Sequence, residues 1–76
     1  MARPIRQITA EIVQNWKKPY FLAVPYLEAM AVIDTTSDMY HALDGKSIVL
    51  AFLDRAQTWR GPIAERIKSE LLELLD

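Results

Sequence analysis

The tripeptide Gly45-Lys46-Ser47, which leads into an apolar segment, has the residue types with which a phosphate-binding loop ends. Such a loop also needs a glycine five positions earlier, so that backbone N–H groups can surround the phosphate, and that position is Tyr40. A strand must lead into the loop, and the three residues before Asp44 are too few to supply one. Asp44 would also repel a phosphate, whereas it is a favourable N-cap. The sequence therefore predicts a helix start and no nucleotide site.

Acid–base or metal chemistry would have to use the single histidine or clustered carboxylates. His41 could act as a base oriented by Asp38 or Asp44, but no nucleophile or oxyanion hole is evident beside it. The chain has no cysteine, and the Glu-x-x-His signature of carboxylate metal sites is absent. Three further acids could converge across two helices, namely Glu28, Asp34 and Asp54. We expect no catalytic residue, no metal and no cofactor, and we predict that the protein is not an enzyme.

Two regions could bind nucleic acid. The first is a basic group near the N-terminus with the aromatic neighbours Trp16 and Tyr20, and it consists of Arg3, Arg6, Lys17 and Lys18. The second is a helix-turn-helix-like junction at Trp59-Arg60-Gly61, with the final helix as the reading element. The exposed face of that helix is acidic, and the chain has a net charge of -1, whereas DNA-binding domains usually carry a basic excess. Nucleic-acid binding is therefore the alternative hypothesis.

Length and composition limit the possible architectures. A chain of 76 residues with 51% hydrophobic residues predicts one domain, 1–76, that folds by apolar burial without a cofactor. The longest apolar run is far shorter than the roughly 20 residues that span a membrane. The N-terminal residues lack the pattern of a signal peptide, so we expect the protein in the cytoplasm of its host cell.

Proline and glycine divide the chain into four predicted helices. The first begins at Pro4, carries apolar residues at helical spacing and should stop before Pro19. Pro19 and Pro25 bracket a segment that we expect to be irregular or a short 3-10 turn. A second helix should run from Pro25 to about Asp34, with a loop from there to about Asp44.

The third helix should begin near Asp44 and is apolar on nearly every side, which is typical of a central helix. Gly61 is predicted to close it in a left-handed cap, and Pro62 to start the fourth helix. On that helix Arg66 and Glu70 are spaced to pair, and Ile63 should face the core. No segment alternates strongly enough to demand a strand. The predicted fold is therefore all-α, a compact four-helix bundle-like domain, whose core is expected to contain Ile8, Ile12, Trp16, Met30, Ile33, Ile48, Phe52, Leu53, Ile67 and Leu71.

Aromatic residues and one arginine are candidates for a protein interface, because buried Trp, Tyr and Arg dominate binding energy. These partner-binding candidates are Trp16, Tyr20, Phe21, Tyr26, Trp59 and Arg60. Trp59 shares a helical face with Phe52, so closing the core is the leading interpretation of its role. Leu50, Leu72 and Leu75 lie outside the main apolar stripes and add apolar surface to that of Tyr20, Phe21 and Tyr26. From this surface we predict a homodimer, and the alternative is that the same surface binds a foreign partner.

Several stretches of the chain form a pattern together, namely Trp16-Lys17, Tyr20-Phe21, Pro25-Tyr26-Leu27, Ser47-Ile48-Val49 and Trp59-Arg60-Gly61. This pattern, which extends from about Trp16 through Leu71, resembles a widespread family of small proteins encoded by bacteriophages and prophages. The Trp-Arg-Gly turn is its most specific part. The family often has Asn-Tyr-Gly in the loop between the second and third helices, where this chain has Asp38-Met39-Tyr40-His41.

The resemblance implies a phage or prophage setting, and it brings no catalytic or ligand residues. Small non-enzymatic phage proteins commonly bind and block a host protein. We therefore expect a protein that acts by protein–protein binding, such as an inhibitor of a host defence or regulatory protein in the manner of an anti-CRISPR. The expected partner is a host or phage protein, and no membrane is involved. The alternative is a small DNA-binding regulator that uses the basic N-terminal helix or the Trp59–Gly61 junction.

Overall fold

The computed structural model describes residues 3–75 and contains four α-helices, a short 3-10 helix and a two-stranded hairpin. In chain order the elements are α1 (Ile5–Asn15), the 3-10 helix (Phe21–Ala23), α2 (Val24–Met30), β1 (Met39–Tyr40), β2 (Leu43–Asp44), α3 (Gly45–Arg55) and α4 (Pro62–Leu74). The prediction of a compact and mostly helical chain is confirmed, with overall dimensions of 29 × 28 × 18 Å. Over these residues no helix combines the length and the apolarity that a membrane crossing requires.

The prediction of an all-α chain is wrong between α2 and α3. There Met39 pairs with Asp44 and Tyr40 with Leu43 in an antiparallel hairpin. The first residue of its two-residue turn, His41, has φ +56°, while the next residue has a negative φ. This is the pattern of a type II′ turn, which usually has glycine at the first of these positions. Strands of two residues are too short to show an alternating pattern, so the sequence predicted a loop.

A single core lies between the helices, and α1, α2, α3 and α4 all contribute to it. The predicted core residues that are buried are Ile8, Ile12, Met30, Ile33, Ile48, Phe52, Ile67 and Leu71. Trp16 and Leu53 are half-buried and pack against this core. Ile63 was expected to face inward but is exposed, because Ala64 occupies the inward position in the first turn of α4. The apolar spacing therefore predicted the core well, with its error at a helix end.

Two tryptophans close the core at the ends of α1 and α3. The rings of Trp16 and Trp59 are stacked, with their centroids 5.4 Å apart and an interplanar angle of 11°. Trp16 also meets Phe52 edge-on at 6.3 Å. Such aromatic pairs contribute about 0.5–1.5 kcal/mol beyond the burial of their area. The interpretation of Trp59 as a residue that closes the core is confirmed, since it is buried.

Two predicted helix ends differ from the structure. The second helix ends at Met30 rather than near Asp34, because the N–H of Asp34, which would continue the helix, donates instead to the side chain of Asp38 at 2.7 Å. The third helix ends at Arg55, well before Gly61. Gly61 has φ +117° and serves instead as the N-cap of α4, with its carbonyl accepting from Glu65. Gly61 therefore starts the fourth helix and does not end the third.

An ion-pair network joins α1 to α4. Arg3 donates to Glu11 at 2.8 Å and to Glu70 at 2.7 Å, and Arg66 donates to the other oxygen of Glu11. The predicted pair between Arg66 and Glu70 is therefore wrong, since Arg66 bonds to Glu11 on α1 and Glu70 bonds to Arg3, which precedes α1. The hydrogen bonds from Arg66 and then Arg3 hold the pKa of Glu11 below its usual value, and the bond from Arg3 likewise lowers the pKa of Glu70. Both carboxylates thus favour the folded state when they are ionised.

The network should make part of the stability depend on pH. A carboxyl whose pKa is lower in the folded than in the unfolded chain stabilises the fold above the unfolded value, about 4.3 for glutamate, and loses this effect as the pH falls through the folded value. The loss of unfolding free energy caused by Glu11→Gln should therefore be largest near neutral pH and shrink below about pH 4.3. Urea unfolding at a series of pH values measures this difference.

Glu73→Gln is the matched control, because Glu73 is exposed and takes part in none of the ion pairs described for residues 3–75. It should change stability little at any pH. An effect of Glu11→Gln that is constant from acid to neutral pH would contradict the role of the ionised network.

Candidate functional site

The Gly-Lys-Ser tripeptide forms the first turn of α3. The N–H of Gly45 donates to the carbonyl of Asp38 at 2.7 Å, and the N–H of Lys46 donates to the carbonyl of Thr36 at 3.1 Å. The N–H of Ser47 donates to the side chain of Asp44 at 2.9 Å, so the prediction that Asp44 caps this helix is confirmed. The donors that a phosphate would need are already bonded to the protein. This geometry favours a structural role for the tripeptide.

Gly45 is required by the close approach of two backbone segments. A Cβ atom at this position would lie 2.5 Å from the carbonyl oxygen of Thr35 and 2.9 Å from the Cα of Thr36. Both are backbone atoms of a segment that also bonds to the start of α3, so they cannot move away without breaking those bonds. The glycine is therefore explained by packing between α3 and the segment before the hairpin.

The two acids that could orient His41 are both used as backbone caps. A carboxylate oxygen of Asp38 accepts from the N–H groups of Asp34 at 2.7 Å and Thr35 at 3.1 Å, which lowers the pKa of Asp38. The hydrogen bonds from Ser47 lower the pKa of Asp44 in the same way. His41 is exposed at the hairpin turn. These contacts do not assemble a catalytic pair around its ring.

The acids that could have converged on a metal lie apart. Asp34 pairs with Arg6, Asp54 bonds to Arg55, and Glu28 is exposed on α2. Over residues 3–75 no group of three or more potential ligands could hold a metal ion. An open groove of about 300 Å³ lies between the start of α1 and the end of α4, lined by Arg3, Pro4, Asp34, Thr35, Thr36 and Leu74. Its two charged side chains are already paired within the protein, which leaves little charge to recognise a ligand.

The predicted basic group is divided by the fold. Arg3 bonds to two glutamates, and Arg6 donates to both oxygens of Asp34 at 2.6 and 3.3 Å. Lys17 and Lys18 are exposed after the end of α1 and take part in none of the ion pairs described for residues 3–75. The basic surface near the N-terminal helix is therefore reduced from four residues to these two lysines.

The predicted partner-binding residues are also divided. The two tryptophans pack into or against the core, and Tyr26 is half-buried against it. Arg60 is exposed and its Nε lies 3.4 Å from the carbonyl of Gln57, near the end of α3. Tyr20 and Phe21 remain accessible, with 40% and 71% of their area exposed. Among these candidates, the two neighbouring aromatics are the ones that present apolar area together.

Four neighbouring apolar side chains in and beside the 3-10 helix are exposed, and together we name them the Tyr20–Val24 surface: Tyr20, Phe21, Leu22 and Val24. Ala23 between them is fully buried and fixes the segment to the core. Leu22 and Val24 were not among the predicted partner-binding residues, although two flanking prolines marked the segment. Other exposed apolar side chains are distributed over the hairpin and the helices.

Two prolines and a backbone hydrogen bond restrict the backbone under this surface. Pro19 precedes the segment and Pro25 lies in the first turn of α2. The N–H of Ala23 donates to the carbonyl of Tyr20 at 2.8 Å, and the rings of Tyr20 and Phe21 meet edge-on with centroids 5.2 Å apart. A surface that is ordered before binding loses less conformational entropy when a partner arrives. The Tyr20–Val24 surface is therefore suited to docking.

Comparison with protein-family models, curated proteins and solved structures gave no match to this chain. The resemblance to phage and prophage proteins therefore stays a prediction, and the surface has to be interpreted from its own chemistry.

Gly45→Ala should destabilise the protein by about 1–3 kcal/mol, the usual cost of forcing an extra group into a packed site. Helix propensity alone would predict the opposite sign, since alanine is favoured over glycine within helices by up to about 1 kcal/mol. Chemical denaturation of both proteins measures the difference. Lys46→Ala, at the adjacent exposed position, is the control and should stay within about 0.5 kcal/mol of the wild type. A more stable Gly45→Ala variant would show that the two backbones are not in tight contact.

Proposed function

We propose that this protein is a non-enzymatic binding protein that docks on another protein through the Tyr20–Val24 surface. The observation that carries the proposal is the exposure of Phe21, 71% of whose area is accessible on a segment with a fixed backbone. Aromatic side chains at the centre of an interface supply much of its binding free energy. In the phage or prophage setting that the sequence implies, the partner would be a host defence or regulatory protein that the binding inhibits.

The size of the surface indicates its place in such an interface. A standard interface covers about 800 Å² on each partner. Four side chains do not cover such an area alone. In the proposed interface they form the apolar centre, and neighbouring polar residues form the rim. The ring pair of Tyr20 and Phe21 is large and rigid, which suits it to fill a pocket on the partner.

The ion pairs favour this proposal over a DNA-binding regulator. Affinity for DNA depends on the number of phosphates that lysine and arginine neutralise. Arg3 and Arg6 are paired with carboxylates, so the N-terminal region offers only Lys17 and Lys18 to phosphates. On the exposed part of α4, Glu65 and Glu73 would face the DNA of a helix-turn-helix complex. Both features weaken binding to a polyanion.

The proposal is tested by affinity purification from a bacterial lysate with tagged wild type and tagged Phe21→Ser, followed by mass spectrometry. We expect one protein to be retained at a stoichiometric level by the wild type and lost with Phe21→Ser. Since Phe21 is exposed, this substitution should change the unfolding free energy by no more than about 0.5 kcal/mol.

Ile63→Ser, which removes an exposed apolar side chain from α4, is the matched control and should retain the partner. Equal retention by wild type and Phe21→Ser would contradict docking through this surface. Copurification of DNA in place of a protein would favour the alternative.

The homodimer is a separate prediction. Leu50 and Leu72 are each about half exposed and add apolar area on α3 and α4. A two-fold contact through the Tyr20–Val24 surface is less favourable, because it would bring a basic surface against its own copy. Sedimentation equilibrium at micromolar concentration should give about twice the chain mass of 8.7 kDa. Leu50→Asp should shift the mass toward the monomer, and a monomeric wild type would contradict the prediction.

A further inference from the structure

The charged residues that directly precede the Tyr20–Val24 surface along the chain are positive. Between Glu11 and Glu28 the only charged residues are Lys17 and Lys18, which directly precede the surface. Both lysines are exposed in the segment between α1 and the 3-10 helix. This segment carries two positive charges within a chain whose net charge is -1.

These lysines differ from three arginines of the same protein. Arg3, Arg6 and Arg66 each bond to a carboxylate of another element. Lys17 and Lys18 belong to none of the ion pairs described for residues 3–75, so their charge is available to a partner. The nearest acid after the surface is Glu28, one helical turn beyond Val24. The surface therefore has a basic side at its lysines and an acidic residue beyond its other end.

We propose that the partner is a protein with an acidic rim around an apolar pocket. Phe21 enters the pocket, and carboxylates of the rim face Lys17 and Lys18. This inference rests on the proposed function and adds the chemistry of the partner to it. Complementary charge at a rim increases the rate of association and excludes wrong partners, while the apolar centre supplies most of the affinity.

Three other occupants fit the surface less well. A second copy of this chain would present the same two lysines in a two-fold contact. Lipid-binding segments carry clusters of about four to eight basic residues, more than this segment has. Single-stranded nucleic acid needs a basic groove along its backbone, and two lysines make contact with few phosphates. Binding to an acidic protein surface requires only the two positive charges that Lys17 and Lys18 supply.

The test uses synthetic amphipathic peptides as probes. Three peptides share one apolar face with leucine and phenylalanine and carry glutamate, glutamine or lysine on the other face. Amide chemical shifts of the isotope-labelled protein report where each peptide binds. We expect the glutamate peptide to shift residues 17–24 and to bind more tightly than the glutamine peptide, and the lysine peptide to bind least. Binding should weaken between about 50 and about 500 mM salt, since exposed charges are screened.

The double variant Lys17→Glu, Lys18→Glu should bind the glutamate peptide about tenfold more weakly, because two exposed attractions become repulsions. Lys46→Glu, an exposed lysine on α3, is the control and should bind it as the wild type does. Circular dichroism of each variant should match the wild type, since neither Lys17 nor Lys18 packs in the core.

Each of the following outcomes would contradict the proposal that the partner has an acidic rim. Equal or tighter binding of the glutamine or lysine peptide at residues 17–24 would leave docking through Phe21 in place and remove the charge preference. Shifts caused by vesicles with anionic lipid or by an oligodeoxythymidine, without any caused by peptide, would identify a lipid or nucleic-acid surface. If no peptide shifts these residues at millimolar concentration, the inferred chemistry of the partner is wrong. The proposed function is then decided separately by the affinity purification, in which Phe21→Ser should lose the retained protein.

Discussion

The backbone segment from Ile33 to Asp38 supplies hydrogen-bond acceptors to the starts of two helices, and the rest of the fold depends on this arrangement. The first N–H groups of a helix have no partner within it and must find one elsewhere. The carbonyls of Asp34 and Ile33 accept from Ile5 and Arg6 at the start of α1, each at 2.9 Å. The carbonyls of Asp38 and Thr36 accept from the first two residues of α3. One short segment thus fixes where both helices begin.

This constraint determines the path of α1 and α3 through the core. Both helices have 11 residues and begin at the same segment. At their other ends the rings of Trp16 and Trp59 stack on each other, about 16 Å away along the helices at 1.5 Å per residue. The Tyr20–Val24 surface follows directly after Trp16. It is therefore held at the tryptophan end of the fold, at a distance from the segment that begins both helices.

Local patterns predicted the parts of the structure that local interactions determine. The apolar spacing located α1, α3 and α4, and Asp44 marked the start of α3, because a cap and a helical stripe are visible in neighbouring residues. The wrong predictions concern features that depend on residues distant in sequence. Arg66 and Glu70 are spaced to pair with each other, but each meets a charge from the N-terminal region. The chain leaves the helical path after Met30, and the carbonyls of Ile33 and Asp34 serve α1. Neither effect can be read from one segment alone.

The same reasoning explains how much of the candidate surface was predictable. Tyr20 and Phe21 were identified by residue type, but the sequence grouped them with tryptophans that the structure places in and against the core. A 3-10 helix of three residues has no repeating stripe, so its inward side is decided by tertiary contact, here through Ala23. Phe21 is the side chain of this segment with the largest exposed fraction, 71%. With most of its ring in water, Phe21 contributes little to the core, and a polar residue could occupy its position without a cavity. The proposed docking accounts for this exposed aromatic area, whereas the first backbone donors of the Gly-Lys-Ser tripeptide are already bonded within the protein.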